Sequence, residues 1–65
     1  MRIVVNGDSV EISEGASVAT LVEQLGLPDK GIAVAVDWEV LPRSEWYTTL
    51  SDGAKVEVVT AVQGG

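Results

Sequence analysis

Apolar and polar positions alternate from the first residue. Met1, Ile3 and Val5 fall on one side of an extended chain, and Val10 and Ile12 fall on one side of the next. Asn6-Gly7 separates the two runs. A two-residue type I′ turn needs positive φ at both central positions, and Asn-Gly meets that need best. The pattern therefore predicts a β-hairpin whose return strand covers about residues 8–13, ended by Glu14-Gly15. The period then changes. Val18, Leu21, Val22 and Leu25 stand at i, i+3, i+4 and i+7, one apolar stripe on a helix. Ser17 is placed to cap its start, Gly26 to cap its end, and Leu27-Pro28 to stop it. A helix this short does not hold alone in water, so its stripe, Leu25 included, is expected to face the hairpin.

After the loop Asp29-Lys30-Gly31 comes a continuous apolar run, residues 32–36, which reads as an interior strand buried on both faces. Asp37-Trp38-Glu39 turns the chain, and Val40-Leu41 forms a short strand closed by Pro42. Ser51-Asp52-Gly53 is a further turn before a last strand that begins at Lys55. The order is hairpin, helix, strand, short strand, loop, strand. This predicts an α+β chain of the β-grasp type: a mixed sheet of four to five strands with one helix across it. The last strand is expected beside the first, and the first in the centre. Residues 1–65 form one domain, with a flexible tail over 62–65.

Composition removes several kinds of chemistry. The chain has no Cys and no His, so it can build neither a Cys-His nor a Ser-His nucleophile, and it has no thiolate metal ligand. No metal spacing or paired acid-base couple is present. A chain of 65 residues buries only about 60% of its unfolded surface, so its stability is marginal. Ten acidic residues against four basic ones give a formal charge of −6. That surface repels phosphate backbones, which argues against nucleic acid, and favours a basic protein partner. No apolar run is long enough to span a membrane and no signal peptide opens the chain, so a cytoplasmic location is expected.

The strand from Lys55 runs into Ala61-Val62-Gln63-Gly64-Gly65. Two glycines make a tip that is able to enter a channel too narrow for side chains. Val59 is out of phase with Val56 and Val58, so it is expected to face outward and to share a small apolar patch with Val62. Trp46 reads as core in preference to an exposed partner anchor. Arg43 reads as a salt-bridge partner for a nearby acid. The acidic side chains read as ordinary solvated surface.

The whole chain resembles the ThiS family, the sulfur carrier proteins of thiamine biosynthesis within the ubiquitin-like β-grasp group. The resemblance rests on Asn6-Gly7, on Ser17-Val18-Ala19-Thr20-Leu21-Val22, and on residues 32–36. It rests further on Val40-Leu41-Pro42-Arg43-Ser44-Glu45-Trp46, on Asp52-Gly53-Ala54-Lys55, and on the closing Gly64-Gly65. Pro42-Arg43 with Trp46 is the most specific internal piece. Gln63 stands where many relatives have another small residue, and Trp38 lies outside the family pattern and has no assigned role.

The resemblance implies that the chain is a substrate of enzymes and not an enzyme. A separate activating enzyme would use ATP to adenylate the Gly65 carboxylate, which is ionised and a poor electrophile. Sulfur from a donor system such as a cysteine desulfurase would replace the adenylate, giving a thiocarboxylate that supplies a thiazole synthase. The chain itself would bind no cofactor. Gly65 is then the reacting residue, and Val59, Val62, Gln63 and Gly64 are the expected partner contacts. Three alternatives remain open at this point: the related carrier for molybdopterin synthesis, a ubiquitin-like modifier, and an interaction module whose Gly-Gly is accidental.

Overall fold

The computed structural model describes residues 1–28 and 30–60. The expectations for Asp29, for the flexible tail and for Val62, Gln63, Gly64 and Gly65 lie outside the described residues. Two strands open the chain, β1 (Arg2–Val5) and β2 (Asp8–Glu11), paired antiparallel. Asn6 and Gly7 turn between them with φ of 50° and 87°, the conformation expected of Asn-Gly. The main-chain bonding carries past β2. The Ile12 amide donates to the Met1 carbonyl at 2.9 Å, and the Met1 ammonium donates to the Ile12 carbonyl at 2.7 Å.

Helix α1 (Val18–Gln24) starts as expected. Ser17 Oγ accepts the Thr20 amide at 3.3 Å, and the Ala19 amide donates to the Trp46 carbonyl at 2.9 Å. Two of the first-turn amides that a helix leaves unpaired are thus satisfied, one locally and one by a distant loop. The C-terminus corrects the expectation for Leu25. The helix ends at Gln24, and Leu25 is its cap, 39% exposed. Gly26 turns at φ 69°, the Gly26 amide donates to Glu23, and the Leu27 amide donates to Val22. This is the Schellman arrangement, in which the residue after the glycine swings back onto the helix. Leu27 therefore packs against the core at this end, and Leu25 is left at the rim.

Strands β3 (Ile32–Val36), β4 (Glu39–Leu41) and β5 (Lys55–Thr60) complete a five-stranded sheet in the order β2-β1-β5-β3-β4. β5 runs parallel to β1 and antiparallel to β3, which gives the mixed β-grasp sheet. β5, not β1, is the middle strand of the five, and β1 lies beside it as a second interior strand. β3 also differs from expectation. Val34 is buried beneath the helix, but Ala33 is exposed on the opposite face. Only one face of the sheet carries a helix, so the apolar run hides an alternation of Ile and Val inward with Ala outward.

The core gathers Ile3, Val5, Ile12, Val18, Leu21, Val22, Val34, Trp46, Leu50 and Val56 between that helix and the sheet. Trp46 is buried, at 5% exposure, and its Nε1–H donates to the Leu41 carbonyl at 3.1 Å. Arg43–Glu45 form a 3₁₀ turn after Pro42. In that geometry residues three apart eclipse, and the Arg43 guanidinium lies 4.9 Å from the Trp46 ring centroid. The Arg43 guanidinium thus has an aromatic face as one of its contacts. The most specific internal motif of the sequence is a packing device.

Candidate functional site: the base of the C-terminal tail

β5 is the last described element, and it is the element that leads to Gly64-Gly65. On its β3 side the pairing is continuous from Val36–Val56 to Ile32–Thr60. On its β1 side the strand pairing is shorter, with Val4 opposite Lys55 and Val5 opposite Val56. The amides of Val4 and Asn6 donate to the carbonyls of Ala54 and Val56, both at 2.9 Å. β1 then turns away at Asn6-Gly7. Beyond that point the Asn6 side chain replaces the missing rung. Its Oδ1 accepts the Val58 amide at 2.8 Å, and its Nδ2 donates to the Val58 carbonyl at 3.1 Å. A side-chain amide that both donates and accepts imitates a strand residue. It holds β5 two residues from the end of the described strand.

The face of the sheet away from the helix is divided. Over β1 and β2 it is polar, with Arg2 paired to Glu11 at 3.1 Å and Val4 opposite Ser9. Over β3, β4 and β5 it is largely apolar. Ala33 lies opposite Val59, and Ala35 lies opposite Val40 on one side and Glu57 on the other. Val59 is 59% exposed and Val40 is 70% exposed. The two alanines are the small side chains of this face, and Val59 carries it to the tail base. Val59 does face outward, as its phase along the strand indicated.

A second concavity lies on the helix side of the molecule. It is a groove of about 560 Å³ lined by Ala19, Val22, Leu27, Pro28, Arg43 and Trp46, with Glu23 and Tyr47 at its edge. Among its described lining residues no nucleophile is paired with a base. Among the described residues no three acidic side chains converge as metal ligands, and no helix is long and apolar enough to cross a membrane. Sequence reasoning missed the Asn6 clamp, the outward-facing alanines and Val40. The only local signal was the Asn in Asn6-Gly7, and the turn alone already accounts for that residue.

Known proteins share this fold. The structure superposes on the crystal structure of the thiamine biosynthesis protein ThiS from Geobacter metallireducens with a TM-score of 0.84, at 29% identity and over all of both chains. The sulfur carrier protein ThiS of Escherichia coli is 29% identical, again over the full length of both. A thiazole synthase of Paramagnetospirillum magneticum is 32% identical over this whole chain, which spans only 20% of that longer protein. The sequence profile of the ThiS family matches residues 2–65. With a profile match over residues 2–65 and a shared fold, the chain belongs to the ThiS family.

Proposed function

We propose that this chain is a sulfur carrier for thiazole formation, and that Gly65 bears the reacting carboxyl group. The observation that carries the proposal is that the family match extends through Gly64 and Gly65. A carboxylate oxygen of Gly65 attacks the α-phosphorus of ATP on a separate activating enzyme, and pyrophosphate leaves. The terminal sulfur of a persulfide from a donor system such as a cysteine desulfurase then attacks the acyl carbon, AMP leaves, and a thiol of the partner enzymes cleaves the acyl disulfide, releasing the thiocarboxylate and leaving a disulfide. The resulting thiocarboxylate is the form that a thiazole synthase consumes. The chain binds no cofactor of its own in this scheme, and ATP is a substrate held by the partner. It acts as a substrate of enzymes in the cytoplasm, not as an enzyme.

The structure supports the scheme through the tail base. A carboxyl group that reacts inside another protein must be presented on a firm support, since a misplacement near 1 Å costs about a hundredfold in rate. The two-sided pairing of β5 and the Asn6 clamp supply that support. Val59, with Val62, Gln63 and Gly64, forms the contact with the enzymes that accept the tail. The names of the Escherichia coli and Paramagnetospirillum relatives favour the thiazole branch over a molybdopterin role. Mass spectrometry of the protein purified from its native cell tests the reading. A thiocarboxylate at Gly65 is the expected result. A branched lysine adduct would make the chain a modifier, and an end that stays unmodified during thiamine synthesis would leave an interaction module.

A further inference from the structure

Asp37 and Trp38 form the two-residue turn between β3 and β4, and both have positive φ, 51° and 74°. A left-handed backbone strains any residue with a Cβ, and Asp tolerates it far better than an aromatic does. Trp38 is also 78% exposed. The chain thus carries a strained backbone and an exposed indole at one position, where Gly or Asn would remove both penalties. The turn is not loose. The Asp37 amide donates to the Lys55 carbonyl at 2.7 Å, and Asp37 Oδ1 accepts the Lys55 amide at 3.0 Å. The indole is held out on a hairpin fastened to the first residue of β5. A strained, rigid, exposed aromatic with no packing role points to recognition.

We propose that Trp38 is a second anchor by which the carrier grips the enzyme that adenylates its tail. The proposal rests on the carrier reading above. Trp38 enters an apolar slot rimmed by cations. Apolar positions run from the hairpin through Val40, Ala35 and Ala33 to Val59, so the slot is continuous with the contact at the tail base. Charge selects the partner. Asp37 and Glu39 flank Trp38, Glu57 lies on the same face with the cation Lys55 beside it, and the chain as a whole carries −6. An enzyme that brings ATP to the tail must surround a triphosphate with positive charge, and a cationic approach to that site complements this carrier. The geometry gives the anchor its use. Ile32, opposite Thr60, and Val36, beside the turn, are four residues apart, roughly 13 Å along the strand. Contact at both ends strengthens the grip on the body while the tail base alone sets the depth of the tail, so the anchor acts on affinity.

The test uses Trp38→Asn and Trp38→Gly, both compatible with the left-handed turn, with the purified activating enzyme. Carrier-dependent ATP–pyrophosphate exchange, calorimetric binding and thermal melts are run on each. The expected result is a rise in KM and Kd of about 30-fold, the size of an interfacial tryptophan hot spot. The rate at saturating carrier stays near that of the parent. Tm is equal or higher, because the strain is gone. In the parent, Trp38 emission shifts to the blue on binding, and the shift is absent from both variants. If the parent supports exchange and both variants match its KM and Kd, Trp38 is no anchor. A fall in Tm in both would make it a folding residue and overturn the proposal. Weakened binding to the thiazole synthase alone would show that the wrong enzyme was chosen. A parent that supports no exchange overturns the carrier reading itself, and this partner with it.

Discussion

Replacing Asn6 by Gly separates the two roles of that side chain. Gly keeps the φ of 50° without strain, so the hairpin turn survives, but the bonds to Val58 are lost. The loss of both bonds should lower stability by about 1–2 kcal/mol. Hydrogen exchange at the Val58 amide should rise by at least about tenfold, because the last rung on that side of β5 is open. Asn6→Asp keeps only the acceptor and should fall between parent and Gly variant. Val58 exchange that is unchanged in Asn6→Gly would show that β5 holds without the clamp. Trp46 shows the same logic in the core, where one polar atom of a large ring finds the Leu41 carbonyl and the ring face takes Arg43.

At the scale of elements, the helix gives the sharpest contrast. Leu21 is fully buried and Leu25 is the half-open cap. Leu21→Ala should cost about 2–5 kcal/mol by urea unfolding, a large share of a total near about 5 kcal/mol for so small a chain. Leu25→Ala should cost less than about 1 kcal/mol, since little apolar area leaves water there. Equal losses at the two positions would restore Leu25 to the core and refute the Schellman ending. The same comparison shows what the sequence could and could not reveal. The Asn6-Gly7 turn and the Ser17 cap were legible because each obeys a rule satisfied within a few residues. Leu25 was misplaced because the 3.6 period continues on paper past the residue where Gly26 ends it. The central place of β5 depends on which strand edges meet, and no local pattern encodes that. Ala33 and Ala35 looked like core because alanine suits either face. The Asp37-Trp38 conformation was hidden because Asp-Trp is not a preferred pair for that turn. At the site, the outward phase of Val59 was readable from alternation alone. The Asn6 clamp was not, since its partner Val58 lies 52 positions away.

For the whole molecule, the charge of −6 on a small body should speed its encounter with a cationic partner. The association rate with the activating enzyme should therefore fall as salt rises, with a smaller change in the dissociation rate. Association that is flat across salt would assign the charge to solubility alone. The same view separates a folded body from the reactive end it carries. The described core closes at Val56 and Val58, so removing Gly65 should leave the melt unchanged. It would nevertheless draw the reacting carbonyl back by about 3.5 Å, one extended residue. The most direct measurement is ATP–pyrophosphate exchange by the activating enzyme with the Gly65-deleted chain, beside a thermal melt of the same sample. Exchange reduced at least about a hundredfold with a parental melt is the predicted result. Parental exchange from the shortened chain would contradict the assignment of Gly65 as the adenylated residue.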